Sequence, residues 1–104
     1  MRELKVEQDA RHLVESRGCS LIKFTSPGRN GWPDRLLLVP AEHAVTPHAV
    51  VCFIEFKKPD EYPSRQQLDV LKTLRDDGFC AFWTDNVQRV ETWLNAYVRT
   101  LGDR

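Results

Sequence analysis

The chain has 104 residues, 41% hydrophobic and 29% charged, with 15 basic side chains balanced by 15 acidic ones. That length suits one compact domain, 1–104, with an ordinary core and no need of disulfides, and it leaves no room for two. Zero net charge argues against a general polyanion binder. The apolar runs fall far short of a membrane span, and the opening Met1-Arg2-Glu3-Leu4-Lys5 reads as a helix start rather than a signal peptide. Cys19, Cys52 and Cys80 are odd in number, widely spaced and without a Cys-x-x-Cys pattern. They read as free thiols in a reducing cytoplasm rather than as disulfide or zinc ligands.

Apolar residues Val6, Ala10, Leu13 and Val14 recur at helical spacing over residues 3–17, and Gly18 supplies a stop. Residues 20–25 alternate as a short strand. Ser26 to Gly31 form a loop by their Pro, Gly and Asn content. Asp34 to Val39 predict a second strand, residues 40–49 a turn or small excursion, and Val50 to Lys57 a third strand in a hairpin with the second. Lys58 to Pro63 form a proline-bounded loop. Ser64 then caps a helix reaching about Asp77, with Leu68, Leu71 and Leu74 on its buried side and Gly78 ending it. Phe79 to Thr84 read as a fourth strand. Asp85 or Asn86 caps a last helix carrying Val87, Val90, Trp93, Leu94 and Tyr97. The predicted order is α-β-β-β-α-β-α.

Chemistry concentrates at two strand ends. Strand alternation places Val51, Phe53, Glu55 and Lys57 on one face and Cys52, Ile54 and Phe56 on the other. Both faces are apolar until Glu55 and Lys57 emerge, as expected of a central, covered strand. A solvated strand end with an incidental ion pair accounts for these two residues as well. Asp34, set by Pro33 at the mouth of the neighbouring strand, shifts that balance. A hairpin delivers it toward Glu55, where two like charges repel and a divalent cation removes the cost. Oxygen ligands completed by water suit Mg²⁺. A lysine beside them serves a charged phosphate or orients the attacking water.

Pro33-Asp34 followed by Glu55-Phe56-Lys57 resembles the PD-(D/E)XK nuclease motif. The run Lys23-Phe24-Thr25-Ser26-Pro27-Gly28-Arg29-Asn30-Gly31-Trp32-Pro33-Asp34-Arg35 is similar to the core of the VRR-NUC family, and especially to its small stand-alone phage and bacterial members. Ser64-x-x-Gln67, Leu71, Leu74 and Gly78 extend the likeness over roughly residues 3–85. A lone Pro-Asp or Glu-x-Lys pair is a weak signal; the ordered set is a strong one.

The resemblance implies an α/β fold with a mixed four-stranded sheet flanked by helices. It implies Asp34 and Glu55 as ligands of Mg²⁺ or Mn²⁺, with the Phe56 backbone carbonyl as a further ligand, and Lys57 as the catalytic lysine. Gln67 matches a helix glutamine beside the active site, although Ser64 and Gln67 also make a capping box. A first-helix acid is implied too. Glu3 and Glu7 both fit, and an ordinary first-turn acid explains either. Lys23, Arg29, Arg35, Lys58 and Arg65 flank these positions either as ordinary solvated surface charges or as contacts for DNA phosphates, with Arg29 and Lys58 best placed for the latter, and Trp32 serves as loop packing or as a base platform.

The implied activity is metal-dependent endonucleolytic cleavage of DNA by a homodimer acting on branched substrates such as four-way junctions, in a bacterial or phage-infected cell. The alternative is a silent or partner-dependent binding module of the same fold. The excursion at 40–49, with His43 and His48, departs from the family's short Gly turn. It bears on substrate preference rather than on the chemistry.

Overall fold

The computed structural model describes residues 4–99. The elements are α1 (Lys5–Ser16), β1 (Ser20–Lys23), β2 (Arg35–Val39), a 3₁₀ turn (Ala41–His43), β3 (Val50–Phe56), α2 (Arg65–Asp76), β4 (Cys80–Thr84) and α3 (Val87–Tyr97). The order is the one expected, and each element is trimmed by a residue or two at its ends. One sheet runs β1-β2-β3-β4. β1 and β3 lie antiparallel to β2, and β4 runs parallel to β3. The parallel step requires a crossover, and α2 makes it.

Helix ends follow local chemistry. Ser64 and Gln67 form a complete capping box at the start of α2, and the Asn86 side chain accepts from the Arg89 N–H at the start of α3. Gly18 and Gly78 end α1 and α2 with φ of 76° and 97°, a backbone state that side-chain-bearing residues rarely adopt.

The two faces of the sheet are covered unequally. Val6, Ala10 and Val14 of α1 and Val90 and Leu94 of α3 seal one face against Leu37, Val39, Cys52, Ile54 and Phe56. On the other face Leu71 and Leu74 of α2 pack with Ala81, Trp32, Phe53 and Trp83. α2 reaches over β4 and part of β3 and no further: Ile22 and Val51 on this second face stay 42% and 46% exposed. β3 is therefore central, as expected, but only its Cys52–Ile54–Phe56 face is fully sealed. The expectation of a strand covered on both sides fails because a single short helix spans too little of a four-stranded sheet.

The 40–49 excursion is pinned to the end of α3. Ala44 bridges Val98, the Val45 N–H donates to the Tyr97 carbonyl at 3.0 Å, and the Arg99 N–H donates to the His43 carbonyl at 2.7 Å. His43 also lies against Gly18, where an added Cβ would meet its ring at 2.6 Å. No described helix is long and apolar enough to cross a membrane.

Leu37 is fully buried between the helices and the sheet. Leu37→Ala is expected to lower unfolding free energy by about 2–5 kcal/mol through lost transfer energy and a residual cavity. Urea denaturation would measure this, and a loss under about 1 kcal/mol would contradict the packing described.

Candidate active site

β2 and β3 pair with Arg35 opposite Ile54. Continuing that ladder one step sets Asp34 across from Glu55, on the sheet face that α2 only half covers. The Phe24 N–H donates to the Asp34 carbonyl at 2.8 Å, so the Asp34 backbone is held from the β1 side too. Glu55 is also in register with Trp83 on β4. The Lys57 N–H extends the parallel pairing by donating to the Thr84 carbonyl at 2.9 Å. These main-chain bonds fix where the three chemical side chains begin.

Lys57 Nζ lies 4.0 Å from Glu55 Oε2, and the two side chains are only 19% and 12% exposed. Gln67 joins them from α2. Its Oε1 accepts from the Ser64 N–H at 2.9 Å while its Nε2 donates to Glu55 Oε2 at 3.4 Å. Capping and contact with the site are thus simultaneous, since the two ends of one amide do different work.

The electrostatics reflect burial first and crowding second. The Glu55 carboxyl is raised from its ordinary 4.5 to about 7: burial is the largest cause, neighbouring Asp34 adds to it, Lys57 and Arg35 oppose the rise, and Glu7 adds a little more. A carboxylate held partly protonated at neutral pH by burial, with a second carboxylate beside it, marks a site short of positive charge. Among the described residues no three His, Cys, Asp or Glu side chains converge on one ion position. Two carboxylates supplemented by main-chain oxygen and water nonetheless make a donor set suited to a hard divalent cation.

Glu7 is buried, and its carboxylate pairs with Nε and Nη2 of Arg35. Glu3, the other first-helix candidate, lies outside the described residues. Arg35 differs from the expectation that it faces DNA phosphates. It is 9% exposed and turned inward, with Nη1 donating to the Asp34 carbonyl at 2.9 Å and lying 3.3 Å from Asp34 Oδ2. A signal for this was present in the sequence: alternation puts Arg35 in phase with Leu37 and Val39, the buried face of β2.

The remaining basic candidates are exposed around the site. Arg29 sits over the Trp32 ring at 5.2 Å, Arg65 pairs with Asp69 one helical turn on, and Lys23 and Lys58 extend into solvent. Trp32 packs edge-on against Phe53 with ring centroids 6.2 Å apart, as a loop anchor. The 40–49 excursion joins the far ends of β2 and β3, about 15 Å along the strands from Asp34 and Glu55. It therefore does not border the site.

The topology is that of the PD-(D/E)XK restriction-endonuclease-like fold. No protein-family model matches the chain. A solved structure described as a VRR_NUC domain superposes with a TM-score of 0.69 at 25% sequence identity, covering 88% of this chain and 91% of that one. The chain is also 39% identical over 71 residues to "Putative nuclease p44" of Acyrthosiphon pisum secondary endosymbiont phage 1, spanning 65% of this chain and 69% of that protein. The chain belongs to the VRR-NUC family.

Glu55 yields a test of sign. Its folded value lies above its unfolded one, so from about pH 4.5 to about 7 the unfolded state binds fewer protons. Stability falls as pH rises through that window, and the penalty is complete above it. In metal-free protein, Glu55→Gln is expected to raise the melting temperature by a few degrees at pH 8 and to leave it nearly unchanged at pH 4. A difference independent of pH would refute the assignment.

Proposed function

We propose that the chain is a metal-dependent DNA endonuclease that hydrolyses phosphodiester bonds. The observation that carries this reading is the meeting of Asp34, Glu55 and Lys57 at one half-open sheet end, in a chain of the VRR-NUC family. Asp34, Glu55 and the Phe56 backbone carbonyl are the groups that would hold Mg²⁺ or Mn²⁺. Such an ion supplies a more acidic bound water and withdraws charge from the scissile phosphate.

The chain's own residues do the rest. Lys57 presents its ammonium beside Glu55, where it stabilises charge developing on a phosphoryl oxygen or orients the attacking water. Gln67 holds the Glu55 carboxylate by its amide and is itself held by the cap of α2. Lys23, Arg29, Lys58 and Arg65 offer exposed positive charge around the site for backbone phosphates, which set affinity and position rather than sequence.

Branched DNA, such as a four-way junction, is the substrate class that the family resemblance supports, acted on by a homodimer with one site per protomer. The stacked Trp93 and Tyr97 of α3, part-buried with ring centroids 4.6 Å apart, are the candidate contact between protomers. A DNA substrate places the work in the cytoplasm of a bacterial or phage-infected cell.

Lys57→Ala is expected to lower cleavage at least 1,000-fold, on the order of 4 kcal/mol of transition-state stabilisation, while DNA affinity stays within about threefold. A panel of four-way junction, flap, single strand and linear duplex, with Mg²⁺ or Mn²⁺, reads out both activity and preference. Undiminished cutting by the variant would sink the mechanism, equal cutting of every substrate would sink structure selectivity, and no cutting by the wild-type chain would favour a partner-dependent binding module.

A further inference from the structure

Arg35 is out of place for a surface nuclease residue. It stands on the sealed face of the sheet, 9% exposed, yet its guanidinium reaches the carboxylate at the mouth of the site. Two of its nitrogens, Nε and Nη2, bind one oxygen of Glu7. The third, Nη1, donates to the Asp34 carbonyl at 2.9 Å and stands 3.3 Å from Asp34 Oδ2. The Asp34 side chain is otherwise 58% exposed, a short carboxylate free to rotate in water unless something restrains it. A planar guanidinium with its donors in a fixed fork is suited to hold two groups at once in one geometry, and a lysine ammonium is not.

A lone guanidinium there would bring a difficulty. A full positive charge touching a proposed metal ligand repels a divalent cation and competes for the ligand's lone pairs. Glu7 removes the difficulty. It is buried, it faces Arg35 from α1, and with Arg35 it makes a pair of zero net charge. Both groups act on the Glu55 carboxylate with opposite sign, Arg35 the more strongly, so their fields at the site partly offset one another.

We infer that Glu7 and Arg35 form a charge-neutral clamp that orients Asp34 for a divalent cation, with Glu7 acting through Arg35 rather than as a ligand. Both are positioning residues: α1 supplies the counter-charge, β2 supplies the fork, and Asp34 receives the restraint. The inference rests on the metal-site reading above and assigns the first-helix acid a distinct task within it. It also predicts how metal affinity and turnover separate. Charge balance governs affinity, and the fork governs the orientation on which turnover depends.

Two variants of the full chain test this, each by Mn²⁺ titration calorimetry, thermal melting and steady-state cleavage. Glu7→Gln leaves Arg35 uncompensated and is expected to weaken Mn²⁺ binding about tenfold. The double variant Glu7→Leu/Arg35→Met replaces the buried pair with apolar groups, an exchange that commonly preserves folding. It is expected to bind Mn²⁺ within about threefold of wild type while kcat falls at least tenfold, with KM for DNA within about threefold. Arg35→Lys keeps the charge and loses the fork, and is expected to show the same kcat loss. A double variant that binds Mn²⁺ as weakly as Glu7→Gln, or more weakly, would make Glu7 itself a ligand and overturn the clamp. Undiminished kcat in the double variant or in Arg35→Lys would overturn it equally. Failure of the wild-type chain to cut DNA speaks against the nuclease reading, whereas the calorimetric comparison bears on the clamp alone.

Discussion

Crowding of negative charge at one end of the sheet organises this molecule. Asp34 and Glu55 face one another across the last step of the β2–β3 ladder, and Glu7 approaches from α1. Burial and crowding both favour taking up protons, and Glu55 moves part of the way toward that state. Arg35 and Lys57 keep the cluster from going further, one from the sealed side of the sheet and one from the open side. Main-chain hydrogen bonds fix where each carboxylate starts, so the repulsion cannot relax by moving the strands apart. The arrangement is held in a state that a divalent cation would complete.

The unequal covering of the sheet makes this cluster accessible. α1 and α3 together seal one face, where Ala10, Val14, Ile54, Val90 and Leu94 are fully excluded from water. Apolar burial there, at about 25 cal/mol per Å², sets the position of α1 and hence of Glu7. The opposite face has α2 alone, which secures the β4 side and leaves the sheet end near Asp34 open. One face thus carries the main core while the other carries the site. Gln67 links the two tasks on the open side, because its amide caps α2 and touches Glu55 together.

The parts of the fold legible in the sequence were those set by local physics. Helical spacing of Val6, Ala10 and Val14, the Ser64–Gln67 capping box, glycines at helix ends and the alternation of β3 each depend on neighbours a few residues away. Element order and the hairpin of β2 with β3 followed from these. The half-open second face of β3 has no local signature, because an apolar strand reads alike whether a helix covers all of that face or half of it. From sequence the 40–49 stretch is a turn or small excursion with a bearing on substrate preference. Its anchoring to Val98 and Arg99 joins segments about fifty residues apart and has no local signature.

By itself the sequence determined that Asp34, Glu55 and Lys57 stand at strand ends, in the order and phase of a metal-dependent nuclease motif. Strand periodicity and proline geometry place the three residues, and the nuclease reading comes from their resemblance to the motif. Only the tertiary structure decided what each charge faces. It turned Arg35 from a surface cation into an internal one, and it brought Glu7 to Arg35 rather than leaving it a first-turn acid in solvent. It also let Gln67 cap and contact at once. The reason is physical: a charge's role depends on its partner and its burial, and both are set by residues distant in the chain that meet only when α1, β2 and β3 pack together.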